Sequence, residues 1–115
     1  MHNVDGGKTV RVILKDCNTL HNGSLTDVEF NEWVLKRLCE FLGMTPVGTA
    51  FSQQIPPGLS CGLVIAESHI FIHTWPESAS VRVVIDSCVD FDHDAASEWL
   101  KEIYEAGAYT YHRTQ

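Results

Sequence analysis

Basic side chains are scarce in this chain: eight Lys and Arg stand against fifteen Asp and Glu, a formal net charge of −7. That balance disfavours nucleic acid and anionic membrane surfaces as partners, and it is compatible with a cationic small molecule. No apolar run approaches the ~20 residues that span a bilayer. Residues 1–10 lack the basic start and apolar centre of a secretory signal, so a cytoplasmic protein is expected. The cysteines Cys17, Cys39, Cys61 and Cys88 form no C-x-x-C pair; thiols of a cytosolic protein are usually reduced and buried, and one can be reactive. Repeats and low-complexity segments are absent as well. What is present is 115 residues with an ordinary 44% hydrophobic content, enough for a single domain over residues 1–115.

Residues 1–7 read as a loose lead-in. Residues 9–14 (TVRVIL) place Val10, Val12 and Leu14 at alternate positions, the pattern of a half-buried strand. After the loop chemistry of Asn22-Gly23-Ser24, Thr26 and Glu29 form a T-x-x-E capping box. Phe30, Trp33, Val34, Leu38, Phe41 and Leu42 then recur at helical spacing, and Gly43 suits the left-handed position past the helix end. A strand over 44–52 and a Pro56-Pro57-Gly58 turn follow. Three β-rich runs come next, 60–66, 69–75 and 81–87, the second stopped by Pro76. A second helix starts at Asp92 or Asp94, turns Ala96, Trp99, Leu100 and Ile103 inward and ends at Gly107. A final strand covers 108–112. The order β-α-β-β-β-β-α-β predicts an α+β fold: a two-layer α/β sandwich, two helices on one face of a mainly antiparallel sheet. The uncovered sheet face then needs a partner or must be polar, which points to a dimer.

The chemistry concentrates in residues 58–77, GLSCGLVIAESHIFIHTWPE, where histidines, serines and carboxylates interrupt residues otherwise suited to strand core. His69 and His73 stand four apart, a zinc spacing on a helix, but this segment is β-branched and no third ligand has a familiar spacing; no metal is expected. A Ser/His/acid hydrolase is weakly supported, because Ser68 lies in A-E-S-H-I and not in a G-x-S-x-G elbow. A third chemistry is self-processing. A serine hydroxyl attacks the preceding carbonyl, the acyl group moves from nitrogen to oxygen, and β-elimination followed by hydrolysis leaves a pyruvoyl group.

The stretch E-S-H-I-F-I-H-T-W-P-E resembles the processing motif of the S-adenosylmethionine decarboxylases, E-S-H-x-x-I-H-T-W-P-E, in the short pyruvoyl-dependent class of bacteria and archaea. The Gly58-Leu59-Ser60 turn, a cysteine after the next strand (Cys88), an N-terminal strand ending near Cys17 and both helices extend the likeness. The resemblance implies cleavage between Glu67 and Ser68 into a β chain of residues 1–67 and an α chain of residues 68–115. The cofactor is then a pyruvoyl group generated from Ser68, whose ketone forms a Schiff base with the substrate amine and accepts the electrons released with CO2. Ser60 and His73 match the family's processing serine and histidine. Cys88 matches the cysteine that returns a proton to the α carbon, a task that suits a thiol. Glu67 ends the β chain, Glu77 matches a carboxylate that binds ribose hydroxyls, and Trp75 offers a flat surface for adenine. A homodimer of processed protomers, four layers in all, with residues of both chains at each site, is the implied assembly.

The chain also departs from the family pattern. An aromatic six positions before the processing serine is replaced by Gln54, and the usual Y-G-Y-A-A-x-D after W-P-E reads S-A-S-V-R-V-V-I-D. Both changes fall near the expected nucleoside site. Arg82 is a gain: on an extended strand it shares a face with Val84, Asp86 and Cys88. The leading expectation is S-adenosylmethionine decarboxylation, supplying the aminopropyl donor for spermidine synthesis. An alternative is a pyruvoyl decarboxylase for ornithine or arginine, with Asp86 or Glu77 holding a distal amine or guanidinium. A third, of another class, is an uncleaved homologue acting as a binding or regulatory partner.

Overall fold

The computed structural model describes residues 8–17 and 23–114; the expected lead-in at 1–7 and Asn22 lie outside them. Six strands form one antiparallel sheet in the order β2-β3-β4-β5-β1-β6. They are β1 (Lys8–Lys15), β2 (Pro46–Ile55), β3 (Gly58–Ile65), β4 (Ser68–Trp75), β5 (Ser80–Ser87) and β6 (Ala108–Thr114). Helices α1 (Val28–Phe41) and α2 (His93–Ile103) cover one face, and a 3₁₀ turn, Pro76–Ser78, links β4 to β5. The expected α+β sandwich is therefore the observed one.

Strand alternation sends one set of side chains to the helices. Val10, Val12, Leu14, Leu63, Ile70, Ile72, Val83 and Ile85 have no exposed surface and meet Val34, Leu35 and Leu38 of α1 and Leu100 of α2. Consecutive strands pair through short connections, which confines pairing to neighbours except at β1, inserted between β5 and β6.

Local chemistry differs from the expectation in four places. The α1 cap is Asp27, whose carboxylate accepts from the Phe30 amide at 3.1 Å, while the Thr26 hydroxyl donates to the Gly23 carbonyl at 3.0 Å. The inward stripe of α1 is Asn31, Val34, Leu35, Leu38 and Cys39, leaving Trp33 and Phe41 as flanks, 44% and 50% exposed. Asn31 turns the helix this way. Its Nδ2 donates to the Ser24 carbonyl at 2.7 Å, and its Oδ1 accepts the hydroxyl of fully buried Tyr104. Strand β2 begins two residues later than expected, because the Met44 amide still bonds Cys39 O at 2.9 Å. In α2, Asp92 caps as expected, but the left-handed residue after the helix is Glu105 (φ 50°). Gly107 serves a close approach instead: a Cβ there would stand 3.0 Å from that of Asp16.

Candidate active site

The sheet face away from the helices carries His69, His73 and Asp86, while Ser68, at the start of β4, has the parity of buried Ile70 and Ile72 and turns its hydroxyl to Asp86 at the strand end. At the start of β4, Ser68 pairs in register with Ser87 and His69 with Asp86, which in turn faces Thr9 of β1. Ser68 Oγ donates to Asp86 Oδ2 at 2.9 Å and lies 3.2 Å from His69 Nδ1. Thr9 Oγ1 donates to the other carboxylate oxygen, Asp86 Oδ1, at 3.0 Å. One residue before, the Glu67 carbonyl accepts the Cys88 amide at 3.1 Å, and the Glu67 carboxylate accepts the Thr45 amide at 3.2 Å. The junction Glu67–Ser68 is thus pinned on both sides, with half-exposed Cys88 beside it. Cys17, Cys39 and Cys61 are buried; desolvation, with nearby acidic groups, pushes Cys17 up to about 11, Cys61 to about 12, and Cys39 upward too. Those three are packing thiols.

The second cluster lies at the far end of β4. Ser60 of β3 and His73 face each other across the pair, Ser60 Oγ to His73 Nδ1 at 2.8 Å. Burial first, and the neighbouring Arg82 guanidinium second, hold His73 below the ordinary imidazole pKa, so it is biased to the neutral form. Beyond His73 a cleft of about 280 Å³ is lined by Ser60, His73, Trp75, Glu77 and the Pro56-Pro57 turn. Gly58 makes that turn possible, since a Cβ would fall 2.2 Å from the Thr74 carbonyl oxygen. Trp75 is 37% exposed, and the Arg82 guanidinium lies over its ring, 5.1 Å from the centroid. Between the clusters, Phe71 packs edge-on against Phe51 at 5.7 Å. Gly62 leaves room for this pair: its Cβ would be 2.8 Å from one ring and 2.9 Å from the other.

Not every sequence candidate joins one site. Ser68, Glu67 and Cys88 come together, as do Ser60, His73, Trp75 and Glu77, with Arg82 at the edge of the latter. The two groups do not meet: His73 lies five residues along β4 from Ser68, about 17 Å at the rise of a strand. Gln54 is exposed and stands opposite Leu59, on the other parity from Ser60; the residue opposite Ser60 is Gln53. The Thr9–Asp86–Ser68 chain and the Cys88 amide on Glu67 escaped sequence reasoning. Alternation alone did place Asp86 on the open face. Among the described residues, no three His, Cys, Asp or Glu side chains are grouped to hold a metal, and no helix is long and apolar enough to cross a membrane.

Fold and site together define a class: a two-layer α+β domain with serine, histidine and cysteine side chains along its sheet and the Glu67–Ser68 junction at the start of a central strand. The family model described as S-adenosylmethionine decarboxylase matches residues 11–115. The chain is 42% identical over 79 residues to an S-adenosylmethionine decarboxylase proenzyme of Clostridium botulinum (strain Loch Maree / Type A3), covering 68% of each chain. It is 35% identical over 101 residues to the proenzyme of that name from Thermosipho melanesiensis, covering 87% of this chain and 75% of the other. The crystal structure of the adenosylmethionine decarboxylase from Aquifex aeolicus VF5 has the same fold, with a TM-score of 0.77 at 20% identity, over 94% of this chain and 88% of that one. The chain belongs to the S-adenosylmethionine decarboxylase family.

Proposed function

We propose that this chain is a proenzyme that cuts itself between Glu67 and Ser68 and then, as a cytoplasmic dimer, decarboxylates S-adenosylmethionine to supply aminopropyl groups for spermidine synthesis. One observation carries the reading within the family: the carbonyl that Ser68 would attack is already polarised by the Cys88 amide at 3.1 Å, while the Ser68 hydroxyl is held from the other side. Developing negative charge on that oxygen is what such a donor stabilises.

The residues fit a prosthetic group at position 68, because Ser68 is half-buried at a strand start with Cys88 alongside. The pyruvoyl group formed there supplies a ketone for the substrate amine and an electron sink for the bond to CO2. Cys88 then returns the proton to the α carbon. Trp75 and Glu77 line the cleft as surfaces for adenine and ribose. Ser60 and His73 serve the processing steps, His73 as a neutral imidazole able to take a proton.

The separation of about 17 Å along β4 means that a single protomer cannot bring His73 to its own Ser68. A second copy can. The open sheet face exposes Phe51 (50%) and Val64 (46%) together with half-buried Phe71 and Val84, an apolar surface that a partner sheet would bury. Pairing through this face gives a four-layer dimer in which each site takes Ser68 and Cys88 from one chain and Ser60 and His73 from the other.

Arg82 favours a second substrate class. Its guanidinium stacks on Trp75 and covers one ring face that adenine would use, and a fixed cation beside a sulfonium is unfavourable in a partly dry site. An amino acid without a nucleoside, ornithine or arginine, avoids the first conflict, and Glu77 or Asp86 would hold its distal cation against the second. Intact-mass measurement followed by CO2 release on S-adenosylmethionine, ornithine and arginine tests the whole reading. Two fragments and turnover of the first substrate are expected. Two fragments with turnover of an amino acid alone transfer the assignment to the second class. A full-length chain that never cleaves sinks the enzymatic reading.

A further inference from the structure

Self-cleavage needs a group that takes the Ser68 proton as the hydroxyl becomes a nucleophile, and one carboxylate stands in position to do so. We propose that Asp86 is the general base of the first processing step, an assignment that rests on the self-cleavage proposed above. Two contacts and the chemistry of a carboxylate carry it. Ser68 Oγ is 2.9 Å from Asp86 Oδ2, within the range for direct proton transfer. An ionised carboxylate only accepts hydrogen bonds, so the Ser68 hydrogen points at Asp86 and the oxygen lone pairs are left for the Glu67 carbonyl. The carboxylate is itself fixed by the Thr9 hydroxyl on its second oxygen, at 3.0 Å, from the neighbouring strand.

His69 is the competing base, and the geometry ranks it second. Its Nδ1 lies 3.2 Å from Ser68 Oγ and 3.8 Å from Asp86 Oδ2. A ring nitrogen there can steady Oγ or the protonated Asp86, but the shorter contact belongs to the carboxylate. The register explains why Asp86 occupies this place: it is flanked by His69 of β4 and Thr9 of β1, in the row next to Ser68, with its side chain on the open face.

The step balances within the chain. Asp86 accepts the Oγ proton as the Oγ–carbon bond to Glu67 forms, and the carbonyl oxygen carries the negative charge against the Cys88 amide. The carbon–nitrogen bond then breaks, and the proton on Asp86 passes to the departing Ser68 nitrogen, leaving an ester and a free amine. Elimination passes the Ser68 α proton to the His73 imidazole of the second copy, breaks the Cβ–Oγ bond to expel the Glu67 α-carboxylate, and leaves dehydroalanine. Water then replaces the nitrogen, which leaves as ammonia. One water is consumed and one ammonia released, with no external oxidant or reductant.

The test follows cleavage by intact mass in freshly made wild type, Asp86→Asn, Asp86→Ala and His69→Ala, with Ser68→Ala as the uncut reference for melting temperature. Asp86→Asn should slow cleavage by about 10²-fold or more, the usual loss for a general base, and His69→Ala by less. Hydroxylamine, which cuts esters and spares amides, should not accelerate Asp86→Asn, because the block precedes the ester. In Asp86→Ala, sodium formate should speed cleavage beyond sodium chloride of equal concentration, a response that a merely structural role would not give. Cleavage of Asp86→Asn within a few-fold of wild type overturns the assignment. So does a hydroxylamine-sensitive ester in that variant, or equal rates in formate and chloride. Wild type that stays intact refutes self-processing itself, and Asp86 as its base with it.

Discussion

Mixing two dead variants provides a sharp test of the shared site. Ser68→Ala removes the nucleophile, and His73→Ala removes the imidazole at the far end of β4. Alone, each is expected to stay full length. Co-expressed in equal amounts with distinguishable tags, they pair at random in a symmetric dimer, so about half of the dimers are mixed. In a mixed dimer the site built on the His73→Ala chain has its own Ser68 and receives an intact His73 from the other chain. The opposite site lacks both. About half of all His73→Ala chains should therefore be cut, and none of the Ser68→Ala chains. The magnitude follows from geometry, since about 17 Å of strand separates the two side chains within one protomer. Intact-mass spectra resolve the tagged fragments directly. If the mixture stays uncut while wild type under the same conditions is processed, the site is built within one chain. If His73→Ala is cut when expressed alone, His73 has no processing role.

Three further outcomes are expected. Cys88→Ala keeps the backbone amide on Glu67 and should self-cleave normally, while its decarboxylation falls and decays with turnover because the α carbon is protonated wrongly; unchanged steady-state CO2 release would return Cys88 to a packing role. Arg82→Ala should raise the His73 pKa toward the ordinary imidazole value, as read by NMR titration of a Ser68→Ala precursor, because Arg82 is one of the two causes of its depression. The sign for stability follows: with the folded pKa below the unfolded one, the unfolded chain takes up the proton first. His73 therefore costs stability as pH falls from the ordinary value through the lowered one, and Arg82→Ala should weaken that loss in denaturant melts. Tyr104→Phe strips the hydroxyl from buried Asn31 Oδ1, which costs about 1–3 kcal/mol and lowers the melting temperature by roughly 4–8 °C per kcal/mol; a shift under one degree would show that Asn31 finds another donor.

The strands and their order were legible because apolar alternation and the breaks at Pro56-Pro57-Gly58 and Pro76 are local signals. The orientation of α1 was not. Trp33 and Phe41 outweigh Asn31 on any hydropathy scale, yet Asn31 faces inward because Tyr104, far along the chain, and the Ser24 carbonyl satisfy its amide. The same limit applied at the site. The motif named Ser68 and His73, the wider likeness named Cys88, and alternation placed Asp86 on the open face. Only the pairing of β4 with β5 and of β5 with β1 brings Asp86 under the Ser68 hydroxyl with Thr9 behind it. Gln54 was chosen by its offset from Ser60, and offset does not reveal parity across a hairpin.

The spacing of the two clusters supports the proposed pairing of two copies. A protomer with nucleophile and imidazole together would hold a complete processing site on one open sheet face, wet on its outer side. Placing them at opposite ends of β4 makes a single copy incomplete. A two-fold axis lying between two such faces and crossing the strands near Phe71 reverses strand direction, and so sets each Ser68 end over the other copy's His73 end. The Phe51–Phe71 pair that Gly62 admits then lies close to that axis, where apolar burial is densest. Cleavage would occur only in a site closed off from bulk water, where hydrogen bonds to a developing oxyanion are strongest. In the proposed dimer, the aromatics in the middle of the sheet and the divided polar groups at its ends are thus two consequences of one requirement: chemistry at position 68 waits for a second chain.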